Sequence, residues 1–234
     1  MKRKLNTLTA RVLSGLGLDL EWSVDLRGSF LSPITPRVYL GARPTTERVP
    51  ELKEAGVTHI VSCLPEEHRL RVEFLSSDFE HLFLGVRDGM HEDIASTFPR
   101  FFDFAAEAKA PEAKLFVHCE VGVSRSATLV IALLMKAENL SFIAALRRVR
   151  GERYKVLPNI GFASQLQRLE DELKPVAPTK GPSSLAQYLK QVCNAPVDIH
   201  VLESVLKEHH YDAPAALMTI FGGEIPRVVQ GVRA

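Results

Sequence analysis

Short apolar runs alternate with stretches of helical period through the middle of the chain. Arg37-Val-Tyr-Leu-Gly41, Val57-Thr-His-Ile-Val-Ser-Cys-Leu64 and His81-Leu-Phe-Leu-Gly-Val86 read as strands, the second rich in the β-branched residues of a buried one. Leu115-Phe-Val-His-Cys119 opens a fourth, and a small-residue loop then leads into an apolar run of helical length ending at Leu134. Thr45 or Thr46 caps a short helix that ends at Gly56. A cap at Ser96 would place Pro99 in the first turn of a helix through Phe101, Phe102 and Ala105, whereas a cap at Asp93 would leave the proline in the interior. Ser141 caps a helix with Phe142, Ala145, Leu146 and Val149 inward, Arg147, Arg148 and Arg150 outward, and Gly151 as its stop. After a Pro158-Asn159 turn, Phe162, Leu166, Leu169 and Leu173 form one stripe of a further helix. The alternation predicts an α/β domain with a mostly parallel central sheet flanked by helices, and a ligand site outside the carboxyl ends of the strands.

The flanks differ in pattern. Leu5, Leu8, Val12 and Leu16 share one helical face beside Lys2, Arg3, Lys4 and Arg11, which predicts a basic amphipathic helix. Asp19 and Glu21 follow closely and favour a helix packed on the domain over a mitochondrial presequence. Gly28 to Pro36 reads as a loop. Residues 174–184 hold three prolines and a glycine and read as a linker, and Leu185 to Val192, Ile199 to Leu206 and Ala213 to Phe221 are three short helices. The expected organisation is a lead-in over 1–33, a domain over 34–173, a linker over 174–184, a three-helix segment over 185–222 and a tail over 223–234.

Composition adds mainly exclusions. Lys plus Arg (29) nearly balance Asp plus Glu (28), so bulk charge gives no sign of nucleic-acid binding. No apolar run reaches the length of a membrane span. Three cysteines without regular spacing argue against a disulfide framework and a zinc site, and point to a reducing compartment, cytoplasmic or nuclear.

The chemistry concentrates between Cys119 and Arg125. Five intervening residues make a loop small enough to wrap one oxyanion, and Gly122 is free to adopt a backbone shape that a Cβ forbids. A helix starting near Arg125 turns the positive end of its dipole to the same point, favouring a bound phosphate and a thiolate at the base. The Arg125 guanidinium can give two parallel hydrogen bonds to phosphate oxygens.

His118-Cys119-Glu-Val-Gly-Val-Ser-Arg125-Ser126 resembles the motif His-Cys-x5-Arg-Ser/Thr of the cysteine-dependent protein phosphatases. The Ser-Arg-Ser ending is similar to the dual-specificity branch, and the likeness runs from about Ile34 to Leu173. The resemblance implies the cysteine-phosphatase fold, with a small C-terminal helical segment added here. It also implies hydrolysis of phosphotyrosine, phosphoserine and phosphothreonine in proteins through a phosphocysteine, with no metal or cofactor. Cys119 would be the nucleophile. The backbone of Glu120, Val121, Gly122, Val123, Ser124 and Arg125, with the Arg125 side chain, would hold the phosphate. Asp88 would be the general acid, with His91 and Glu92 as rivals and Asp93 as a cap, and Ser126 would stabilise the departing thiolate. His118 and Asn159 would support the loop. Arg153 is read either as a ligand for a second phosphate or as an exposed arginine, and Glu120 as an acidic rim that disfavours lipid or RNA substrates. A phosphoprotein-binding adaptor is the rival from another class. Cys63, at the carboxyl end of its own strand, is either a resolving thiol for Cys119 or a buried structural cysteine. The stretch Val201-Leu-Glu-Ser-Val-Leu…Tyr211-Asp-Ala-Pro-Ala-Ala-Leu217 is similar to ubiquitin-associated and CUE-type three-helix modules, but lacks their Met-Gly-Phe or Met-Phe-Pro loop. Its alternatives are a ubiquitin-binding module and a helical cap on the domain, which a core of this size favours.

Overall fold

The computed structural model describes residues 30–108, 112–173, 181–193, 197–223 and 225. The amphipathic stretch over 1–16, most of the expected linker and most of the tail lie outside these residues.

Five strands form one sheet in the order β1-β2-β5-β3-β4: β1 Leu31–Pro33, β2 Val38–Ala42, β3 His59–Leu64, β4 Glu80–Gly85 and β5 Leu115–Cys119. All neighbours are parallel except β1 on β2. The central strand β5 is buried along its whole length, so it alternates between two apolar layers rather than between core and water. Leu115, Val117 and Cys119 face the larger core, while Phe116 faces the smaller one with Leu52, Ile60 and Leu64. That alternation sends the Cys119 side chain to the helix-covered side of the sheet, at the carboxyl end of the strand.

β1 was expected as loop. Its three residues pair along the edge in the register Leu31 to Gly41 and Pro33 to Tyr39, a pairing set by β2 rather than by local pattern. The first helix, α1 Val49–Glu54, follows a 3-10 turn at Thr46–Arg48, and neither threonine caps it with its side chain. Pro50 in the first turn starts it instead. Residues Glu66–Ser77 form a long 3-10 segment with Val72 and Leu75 buried. Helix α2, Phe98–Glu107, carries Pro99 in its first turn as expected. The expected Ser96 cap is replaced by a 3-10 lead-in at Ala95–Thr97, where Asp93 Oδ1 accepts from the Ser96 N–H at 3.1 Å.

Helix α3, Arg125–Glu138, is buried over most of its length, and its C-terminus closes on Asn139 in the left-handed conformation. Ser141 caps α4, Phe142–Glu152, accepting from the Ala144 N–H at 3.3 Å. Gly151 lies inside that helix rather than ending it. Arg150 also departs from the outward face expected of it: its Nε donates to the Val156 carbonyl at 2.9 Å. Helix α5, Ile160–Leu173, completes this layer.

The C-terminal helices α6 Ser184–Cys193, α7 Ile199–Glu208 and α8 Ala213–Ile220 share one continuous core with the sheet-covering layer. Tyr188 is fully buried with its ring 5.5 Å from Phe142, and its hydroxyl donates to the Pro158 carbonyl. The Gln167 Oε1 accepts from the Leu185 N–H at 2.9 Å, and the Ser164 hydroxyl accepts from the Ala213 N–H at 2.9 Å. The segment is a helical cap on the domain: Leu185, Leu189, Leu202, Leu206 and Leu217 are buried in the shared core, while Val201 and Met218 stay exposed.

Candidate active site

The loop from β5 to α3 is built so that its carbonyls point away from its centre. Glu120 O accepts from the Arg43 N–H at 3.3 Å, Val123 O from the Leu157 N–H at 2.9 Å and Ser124 O from the Thr128 N–H at 2.8 Å. Between them, Val121 O and Gly122 O accept from the Arg153 guanidinium at 3.0 and 2.7 Å. Five successive carbonyls are therefore taken from outside, which leaves the N–H side of the loop for an anion. Gly122 makes the turn at φ 72°, and a Cβ there would sit 2.4 Å from the Gly41 carbonyl oxygen.

Cys119 lies at the base of this loop. Its Sγ accepts from the Gly122 N–H at 3.2 Å and from the Ser126 hydroxyl at 3.1 Å. Arg125 is 4% exposed, and its Nε has no hydrogen-bond partner among the described residues. Leaving a buried guanidinium N–H unpaired costs about 1–3 kcal/mol or more, and an oxyanion in the loop would supply the missing acceptor.

Asp88 reaches the same place from the end of β4. Its Oδ1 accepts from the Ser124 hydroxyl at 2.7 Å and from Asn159 Nδ2 at 2.9 Å, and its Oδ2 lies 3.7 Å from Arg125 Nε. Asn159 also accepts from the Phe162 N–H at 2.9 Å, so one side chain caps α5 and holds the carboxylate. Of the rivals, Glu92 accepts from the Arg87 N–H at 3.2 Å and His91 is exposed.

His118 is fully buried beneath Cys119. Burial pushes its pKa down to about 3, so the ring is neutral. Its Nε2 lies 2.6 Å from the Ser62 hydroxyl, which in turn lies 2.8 Å from His81 Nε2. These contacts, and the grip of Arg153, were absent from the sequence reading, since nothing local marks partners on separate strands. Arg153 is 3% exposed and also donates to the Ser32 hydroxyl at 2.9 Å. It is neither an exposed arginine nor turned to a second phosphate. At the rim, Arg43 Nε donates to both Glu120 carboxylate oxygens at 3.2 Å.

Cys63 is buried on β3. Ser62 stands opposite His118 in the parallel register, so Cys63 neighbours Cys119 on the adjacent strand, about 5 Å away by ordinary sheet spacing. Burial, then the nearby Cys119, pushes the Cys63 thiol pKa well up. Among the described residues no group of three or more His, Cys, Asp or Glu side chains is placed to hold a metal ion, and no helix is long and apolar enough to cross a membrane.

A mostly parallel sheet with a cysteine-based anion loop at the end of its central strand defines the cysteine-phosphatase class of fold. The chain belongs to the dual specificity phosphatase catalytic-domain family, whose family model matches residues 38–172. It is 33% identical over 147 residues to dual specificity protein phosphatase 19 of Mus musculus, covering 63% of this chain and 64% of that protein. It is 33% identical over 178 residues to protein-tyrosine-phosphatase MKP1 of Arabidopsis thaliana, covering 76% of this chain and 22% of that one. The chain thus spans less than two thirds of either relative. Among solved structures, the human tyrosine phosphatase-like serine/threonine/tyrosine-interacting protein is similar with a TM-score of 0.58 and 29% identity, covering 61% of this chain and 96% of that one.

Proposed function

We propose that this chain is a dual specificity protein phosphatase, hydrolysing phosphotyrosine, phosphoserine and phosphothreonine through a phosphocysteine and requiring no metal or cofactor. The observation that carries the reading is the buried Nε of Arg125, which has no hydrogen-bond partner among the described residues, beside a loop whose five carbonyls are all held outward. That arrangement is preorganised for the charge on the equatorial oxygens of a transferring phosphoryl group.

Cys119 Sγ attacks phosphorus and the bond to the leaving oxygen breaks, with Asp88 giving that oxygen its proton. In the second step Asp88 takes a proton from water as the water oxygen attacks phosphorus, the S–P bond breaks, and the Ser126 hydroxyl steadies the departing thiolate. His118, neutral and buried, positions the loop and transfers no proton. Phosphoproteins are the partners this reading requires, in a reducing cytoplasmic or nuclear compartment.

The same geometry supports Cys63 as a resolving thiol. Peroxide would convert the Cys119 thiolate to a sulfenic acid, and the Cys63 thiol would displace water from it to form a disulfide. Peptide mapping after peroxide treatment tests this; a sulfinic Cys119 with no link to Cys63 refutes it.

The main test is phosphate release from an aryl phosphate in excess chelator. Turnover by the wild type, none by Cys119→Ser and loss of roughly 10²-fold or more in Asp88→Asn are expected. An inactive wild type that binds phosphopeptides would transfer the chain to the adaptor reading.

A further inference from the structure

Away from the anion loop, a groove of about 720 Å³ runs between the segment after Asp88, helix α2, helix α5 and the start of α8. Its apolar floor includes Met90, Phe98, Phe102 and Leu169. Its walls carry the carboxylates of Glu92, Asp93, Asp103, Glu172 and Asp212 against the cations Lys136 and Arg168. None of the five carboxylates makes an ion pair among the described residues. Lys136 is turned to the Phe102 ring, 4.4 Å from its centroid. Glu92, Asp93 and Asp212 accept from backbone N–H groups instead. An apolar floor between acidic walls whose carboxylates have no cation among the described residues fits a segment with an apolar stripe and basic flanks.

This chain carries one. Residues 1–16 hold Lys2, Arg3, Lys4 and Arg11, no acid, and the apolar set Leu5, Leu8, Val12 and Leu16 at helical spacing. The described chain starts at Phe30, whose ring lies 5.7 Å from that of Phe116 beside edge strand β1. The residues from Gly17 to Ser29 can extend about 45 Å. A five-stranded sheet is about 20 Å across, so the connection can pass from β1 to the far side with slack.

We propose that the groove between α2 and α5 is the docking site of the chain's own N-terminal segment, residues 1–16, with its leucines and Val12 on the apolar floor and its lysines and arginines against the acidic walls. The docked segment would lie on residues 90–95, which continue directly from Asp88. This segment is fastened to α5 by Gln165, which donates to the Glu92 carbonyl and accepts from the Ala95 N–H, both at 2.8 Å.

The test uses the full chain, mixed in equal parts unlabelled and ¹⁵N-labelled, joined by a zero-length carbodiimide and read by peptide mass spectrometry. Links from Lys2 or Lys4 to Asp93, Asp103, Glu172 or Asp212 are expected within one isotope class and without mixed-isotope pairs. The Lys53–Asp78 pair, 2.5 Å apart, serves as the positive control. Arg3→Glu with Arg11→Glu keeps both reporter lysines and leaves the described fold untouched, and should lower the groove links roughly tenfold, as should 0.5 M salt. Control links without groove links would overturn the proposal. Groove links with mixed-isotope pairs as frequent as same-isotope pairs would also overturn it, placing a second copy in the groove. Phosphate release is not read, so the outcome is separate from that of the enzymatic reading.

Discussion

Arg153 grips the Gly122 carbonyl at 2.7 Å from outside the anion loop, reaching back from the end of α4. Its other contacts, Val121 O at 3.0 Å and the Ser32 hydroxyl at 2.9 Å, tie the loop to the edge strand. A lysine supplies a single point of donation and cannot reproduce this fork. Arg153→Lys should therefore lower kcat/KM by about 10- to 100-fold and cost about 2–4 kcal/mol of stability through carbonyls left without partners. Steady-state kinetics and urea unfolding read the two effects separately.

Asn159 and Ser124 both donate to Oδ1 of Asp88, which leaves Oδ2, on the Arg125 side, to carry the acid's proton. Asn159→Ala should then slow substrates with poor leaving groups more than those with good ones. The expected ratio is about tenfold between phenyl phosphate and an activated aryl phosphate, since only the former needs full protonation. Equal losses on both substrates would make Asn159 merely structural.

The stability of the fold should fall on mild acidification because of His118. Its folded pKa is pushed down to about 3 by burial, below the ordinary unfolded value near 6.5. Both states are neutral above that unfolded value and no penalty exists there. As pH falls from 6.5 towards 3, the unfolded chain binds a proton that the folded chain refuses, at up to about 1.4 kcal/mol per pH unit. Between pH 6.5 and 5 the wild type should lose about 1.6 kcal/mol more than His118→Gln, measured by urea unfolding at each pH. Parallel curves for the two proteins would refute this.

Tyr188 ties the C-terminal cap to the domain through its ring and its hydroxyl. Tyr188→Phe should cost about 1–2 kcal/mol, because the Pro158 carbonyl loses its donor in a buried site. Tyr188→Ala should cost about 3–5 kcal/mol through the cavity it leaves. Both variants should unfold in one transition if cap and domain form one cooperative unit, whereas an early separate transition in calorimetry would show that they do not.

How much could be read without the fold depends on the range of each interaction. Cys119 and Arg125 were legible because a motif places them, and Asp88 and Asn159 through the family resemblance, Asp88 also from its place after a strand; Asp88 contacts both Asn159 and Arg125. Ser141 and Pro99 were legible because capping and first-turn effects act within one helical turn. Arg153 was misread because its partners lie on a loop and an edge strand far away in sequence, and an arginine near a glycine at a helix end looks solvated. The partner of Glu120 was hidden for the same reason, Arg43 standing just past the end of another strand. Strand β1 went unseen because three residues beside prolines and Gly-Ser acquire extended structure only from β2.

By itself, the sequence determined the alternation of strands and helices, the small loop between a strand-end cysteine and an arginine, and the amphipathic character of the flanks, all properties of neighbouring residues. Tertiary structure alone decided which way the loop carbonyls turn, which cation pairs with Glu120, and that helices α6, α7 and α8 join the domain core. Those outcomes depend on burial and on partners that only the closed fold brings within hydrogen-bond distance, where an unmet polar group is expensive and a met one sets the geometry.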